Sequence, residues 1–169
     1  MQMLRPHRTT WHITFGTYGT RLHYGPRLRV YKRHNRYGTP FLPHVPAEQR
    51  FVRSRLNFQP RLFTDEQQVF IEELLPVLCE RGGWNYRIGA AASDHVHLLC
   101  DVDPEIHGEL VSSLLKRWLT QALCRVWPLP PGQTWWAEEG SNKAINEHRY
   151  LNNAYGYIYR QRATQPEVA

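Results

Sequence analysis

Ser93-Asp94-His95-Val96-His97-Leu98-Leu99-Cys100-Asp101, SDHVHLLCD, places two histidines one residue apart inside what otherwise reads as a strand. Successive side chains of a strand point to opposite faces, so His95 and His97 share one face while Val96 and Leu98 occupy the other. One face is then chemical and the other available to a core. The plain alternative is a polar strand face that happens to carry two imidazoles. A third partner is needed before the pair implies a function.

Working outward, Trp84 to Ala92 reads as the hairpin partner of a strand from Asp94 to Val102, joined across Ala91, Ala92 and Ser93. Thr9 to Tyr18, TTWHITFGTY, alternates with Trp11, Ile13 and Phe15 on one side, the pattern of a first strand with one buried face. Thr64-Asp65-Glu66-Gln67 has capping-box spacing and opens a helix carrying Phe70, Ile71, Leu74, Leu75 and Leu78. Gly82-Gly83 stops that helix, and Pro76 is expected to kink or shorten it. A second helix spans about Pro104 to Trp127 on a stripe that includes Leu110, Val111, Leu114, Leu115, Trp118, Leu119 and Val126. Gln133 to Asn146 is expected to form a fourth strand or short hairpin, broken at Gly140. Glu147 to Arg162, EHRYLNNAYGYIYRQR, reads as a final helix. The expected fold is α+β: a ferredoxin-like, split-βαβ antiparallel sheet with helices on one face plus an added C-terminal helix.

The whole chain bounds this reading. Its 169 residues, 41% apolar with 12 prolines, suit one globular domain over 1–169. No apolar run is long enough to cross a bilayer, and MQMLRPHRTTWHITF lacks the apolar middle of a secretory signal, so a cytoplasmic protein with no membrane partner is expected. Three cysteines, Cys79, Cys100 and Cys124, are too widely spaced for CxxC chemistry. The formal charge is +6, and the bases concentrate in a segment at about 19–63 that resists a periodic assignment and is treated as a basic insertion. Arg21, Arg33, Arg36, Arg50, Arg53 and Arg55 lie there among Tyr24, Tyr31, Phe51 and Phe58. Cations mixed with flat rings suit a phosphate backbone with unstacked bases, hence single-stranded nucleic acid; the alternative is a solvated loop that keeps the protein soluble.

The final helix offers the third partner. Residues four apart lie on one helical face, so Tyr157 and Gln161 point the same way, with Ile158 free to anchor the packed side. If that face lies over the sheet, the Gln161 carbonyl oxygen reaches His95 and His97. Two imidazole nitrogens and an amide oxygen with open positions suit Mg²⁺ or Mn²⁺ better than a closed zinc site.

With His95-Val96-His97 as a His-hydrophobe-His motif, Tyr157 and Gln161 four residues apart on a last helix, and WHITFGTYGT as a first strand, the chain resembles the single-tyrosine HUH transposases. These comprise insertion-sequence transposases and REP-associated tyrosine transposases. The Asn-Pro that usually follows the tyrosine in the REP-associated branch is absent, and the insertion is longer than the smallest members need. The resemblance implies that Tyr157 attacks a phosphate of single-stranded DNA, leaving a 5′-phosphotyrosine and a free 3′-hydroxyl. It further implies that His95, His97 and Gln161 hold Mg²⁺ or Mn²⁺, and that the substrate is a hairpin-forming element end or repeat.

Arg160, Lys116, Arg117 and Lys143 join Arg21, Arg33 and Arg36 as candidate DNA-binding residues, each with the alternative of ordinary solvated charge. A homodimer is one arrangement such proteins use, with the last helix serving either its own subunit or a partner. Tyr155 and Tyr159 have the spacing of two-tyrosine replication relaxases, which stands as a second nuclease reading. A histidine-triad phosphohydrolase is disfavoured because Leu99 occupies the third alternating position. A noncatalytic, host-retained DNA-binding module derived from a transposase is the rival from another class.

Overall fold

A computed structural model describes residues 1–20 and 46–164. The element order is β1 (Thr9–Thr17), α1 (Pro46–Ser54), α2 (Asp65–Gly82), β2 (Asn85–Ala91), β3 (His95–Val102), α3 (Gly108–Val126), β4 (Trp136–Ile145) and α4 (His148–Gln161). The four strands form one antiparallel sheet in the order β2-β3-β1-β4. Both helical crossovers, β1 to β2 and β3 to β4, skip over one intervening strand, which is the split-βαβ arrangement expected from the element order.

Alternation along the strands sorts the side chains into two cores. On one face Ile13, Phe15, Val96, Leu98 and Cys100 meet Ile71, Leu75 and Leu78 of α2 and Val111, Leu115, Leu119 and Leu123 of α3. On the other, Ile88, Ala90, Leu99 and Ile145 meet Leu151, Ala154 and Ile158 of α4. The two crossover helices therefore share a face, and the C-terminal helix covers the opposite one. The face that carries the histidines is not purely chemical, because Leu99 seals its far end under α4. Among the described residues no helix is long and apolar enough to cross a membrane.

Local chemistry explains most boundaries. The Thr64 hydroxyl accepts from the Gln67 amide while the Gln67 side chain accepts from the Thr64 amide, a reciprocal cap at the start of α2. Gly83, at φ 70°, ends the helix by donating to Glu80, and the Trp84 amide donates to Cys79. Pro76 does not shorten α2: the turns on either side are held by the fully buried Ile71, Leu75 and Cys79, whose packing outweighs the lost hydrogen bond. In α3 the buried stripe is narrower than expected, since Leu110 and Val126 are exposed.

Gly140 does not break β4. A Cβ there would stand 2.6 Å from the Thr14 carbonyl oxygen, so glycine is what lets β4 close against β1 at Phe15. The 19–63 segment contains a helix the sequence pattern did not show, α1. The segment after α1 is fixed to the end of β1 by stacking of Phe58 on Tyr18, with centroids 4.0 Å apart, and by a hydrogen bond from the Asn57 amide to the Tyr18 hydroxyl.

Candidate active site

The site forms where β1, β3 and α4 meet. His97 pairs with Thr14 and His95 with Gly16, so β1 supplies the neighbours of both imidazoles. The rings of His95 and His97 are buried, 4.6 Å apart between centroids and nearly perpendicular. Asp94 lies 2.5 Å from Nδ1 of His95. The Thr14 hydroxyl lies 2.8 Å from Nδ1 of His97. An Nδ1–H directed at an oxygen puts the imidazole lone pair on Nε2, the tautomer a metal-ligating histidine needs, with the outer partner fixing the ring's orientation.

A third histidine, His12, belongs to this constellation. Its Nε2 is 3.2 Å from Nδ1 of His97, and its own Nδ1 is 3.5 Å from the Tyr150 hydroxyl. Burial lowers the His12 pKa, and the positive charge of Lys143 lowers it further, which favours the neutral ring. The polar side of the sheet thus carries a chain of contacts from Tyr150 through His12 to His97. The sequence held the signal for His12: the alternation that turns Trp11, Ile13 and Phe15 to one side places His12 on the face shared with His97 once β1 and β3 are neighbours.

Of the four tyrosines on the last helix, Tyr157 is the one whose ring meets the imidazole pair. It approaches His97 edge-on with centroids 5.4 Å apart, and it is 43% exposed. Tyr155 packs partly buried against the core under α4, and Tyr159 lies on the exposed side of the helix. Tyr150 is the ring that Lys143 covers at 4.0 Å. Gln161 is the last residue of α4, one turn beyond Tyr157.

The candidate basic residues separate by face. Lys143 pairs with His12 across β1 and β4 and stands on the histidine side; Arg160 is on α4. Lys116 and Arg117 are on α3, across the sheet from the histidines. The Lys116 ammonium donates to the carbonyls of Ala137 and Glu138, an internal role that ties α3 to β4, and burial lowers its pKa. Arg21, Arg33 and Arg36 lie outside the described residues.

Among the described residues no group of three or more His, Cys, Asp or Glu side chains is arranged to hold a metal ion. Two buried imidazoles on one face of β3, each with Nδ1 beside an oxygen, could donate to a divalent ion only together with a third donor of another type. The amide of Gln161 is of that type.

No protein-family model matches the chain, and no curated protein matches it. The chain is similar in structure to a candidate transposase from Deinococcus radiodurans R1, at 16% sequence identity and a TM-score of 0.49, over 97% of this chain and 100% of that one. What the fold and site define is an α+β domain that brings an imidazole pair on a central strand together with a tyrosine on a C-terminal helix.

Proposed function

We propose that the chain is a metal-dependent enzyme that cleaves and rejoins single-stranded DNA through a 5′-phosphotyrosine, a transposase of the single-tyrosine HUH type acting as one catalytic domain. The observation that carries this reading is the edge-on approach of Tyr157 to His97, within an imidazole pair oriented from behind by Asp94 and Thr14.

In this reading His95, His97 and Gln161 would hold Mg²⁺ or Mn²⁺, which when bound would supply Lewis-acid polarisation of the scissile phosphate. Tyr157 performs the covalent step: its oxygen bonds to phosphorus, the bond from phosphorus to the 3′ oxygen breaks, and the phenol's proton ends on the departing 3′-hydroxyl. The product keeps a phosphoester, so a second 3′-hydroxyl can reverse the reaction and join a new strand without an external energy source. Lys143 and Arg160 are the backbone-binding residues favoured by their elements, with the basic 19–63 segment extending the DNA surface. The substrate is single-stranded DNA from hairpin-forming ends or repeats.

The experiment is incubation of the protein with labelled single-stranded DNA from the repeats flanking its gene, with Mn²⁺ or Mg²⁺. A denaturation-resistant protein–DNA adduct that disappears with chelator supports the proposal. Retention of DNA that denaturation fully reverses would instead identify a binding module.

A further inference from the structure

Glu72 lies on α2, across the sheet from the histidines, yet its carboxylate is buried and spent almost entirely on two distant pieces of chain. Its Oε1 accepts from the Ala91 amide at 3.0 Å and from the Ala163 amide at 2.8 Å. Its Oε2 accepts from the Thr164 amide at 3.0 Å and from the Thr164 hydroxyl at 2.6 Å. Arg162 Nε lies 3.7 Å from the same oxygen, and Arg162 also donates to the Thr164 hydroxyl. Ala91 ends β2 at the hairpin that leads into Asp94 and His95, whereas Ala163 and Thr164 immediately follow α4. One oxygen atom therefore ties the approach to the imidazole strand to the exit of the tyrosine helix.

The packing of α4 makes this tie consequential. Leu151, Ala154 and Ile158 seat the helix, and Ile158 is its last fully buried side chain. Gln161 lies beyond it, in a turn that apolar packing does not hold. Charge-assisted hydrogen bonds from buried amides to a carboxylate are the stronger kind, and losing the acceptor would leave the amides it satisfies without compensation.

We propose that Glu72 is a positioning residue that sets the last turn of α4, and with it Tyr157 and Gln161, against His95 and His97. This rests on the function proposed above, but the tie itself can be read without it. Glu72→Gln keeps one carbonyl acceptor and turns the other oxygen into a donor facing the Thr164 amide. The measurements are amide hydrogen exchange and the ring-to-ring nuclear Overhauser effect between Tyr157 and His97, in wild type and in Glu72→Gln. Expected are faster exchange at Ala91 and residues 161–164, a weakened ring contact, and unchanged exchange in β1 and α3. Adduct formation should slow by about tenfold or more at saturating DNA, with KM for DNA unchanged, because small misplacement of a reacting group is costly. Should Glu72→Gln fold poorly, Thr164→Ala removes one contact to Oε2 and should move the same readouts less far. Unchanged exchange and ring contact in the altered protein overturn the proposal, as does a loosened helix with an undiminished adduct rate. A ring contact that depends on Glu72 in a wild-type protein that forms no adduct upholds the tie and overturns the enzymatic reading.

Discussion

Tyr157 meets His97 edge-on, the two ring planes inclined at 83° and their centroids 5.4 Å apart. One ring comes from the last helix and the other from a central strand, and α4 is seated across the sheet on Leu151, Ala154 and Ile158. Those three side chains recur at helical spacing on a single face, which turns the helix so that Tyr157 overhangs the histidines.

Ile158 is the anchor nearest the site, fully buried against the sheet. Truncation to alanine removes that packing, and Ile158→Ala should cost about 2–5 kcal/mol of stability. Denaturant unfolding measures the loss directly. A cost below about 1 kcal/mol would mean that α4 is seated by something other than this face.

Asp94 holds the His95 ring from behind. Replacement by asparagine should weaken Mn²⁺ binding by about 10–100-fold, as loss of an outer partner does in other metal sites, while the fold persists. Titration calorimetry on Asp94→Asn checks this. Wild-type affinity in the variant would remove Asp94 from the ligand-orienting role.

The helix and the histidines belong to one chain, packed together through their own apolar core. Mixing Tyr157→Phe protein with His97→Ala protein should therefore restore no adduct. Recovery to a substantial fraction of wild-type yield would show that α4 is exchanged between subunits.

Gly140 tests the sheet. Because a Cβ would sit 2.6 Å from the Thr14 carbonyl oxygen, Gly140→Ala forces β4 away from β1 just where Thr14 supports His97. The expected outcome is a lowered melting temperature together with weaker Mn²⁺ binding. A neutral substitution would show that β4 shifts without disturbing β1.

Much of this architecture was legible from local rules. SDHVHLLCD announced its two faces by alternation, and Thr64-Asp65-Glu66-Gln67 announced the start of α2 by a cap that both partners complete. Where the sequence misled, a tertiary contact overrode a local preference. Gly140 reads as a strand breaker but serves close approach of two backbones, and Pro76 reads as shortening its helix but sits among turns held by their burial. His12 escaped notice because nothing in its own strand reveals which strand lies alongside. Glu72 was invisible for a similar reason: on a helical pattern it is one acid among several, and only the folded chain brings Ala91, Ala163 and Thr164 to it. The arginines at 21, 33 and 36 fall outside the described residues, so the reading of them as DNA-binding rests on composition.

The central claim is that one particular tyrosine attacks DNA, and peptide mapping of the covalent adduct tests it most directly. With Mn²⁺ and labelled single-stranded DNA from the flanking repeats, the nucleotide should be found on Tyr157, and Tyr157→Phe should lose the adduct yet retain DNA binding, since only the attacking oxygen is removed. A label on Tyr155 or Tyr159, or an undiminished adduct in Tyr157→Phe, would contradict the assignment.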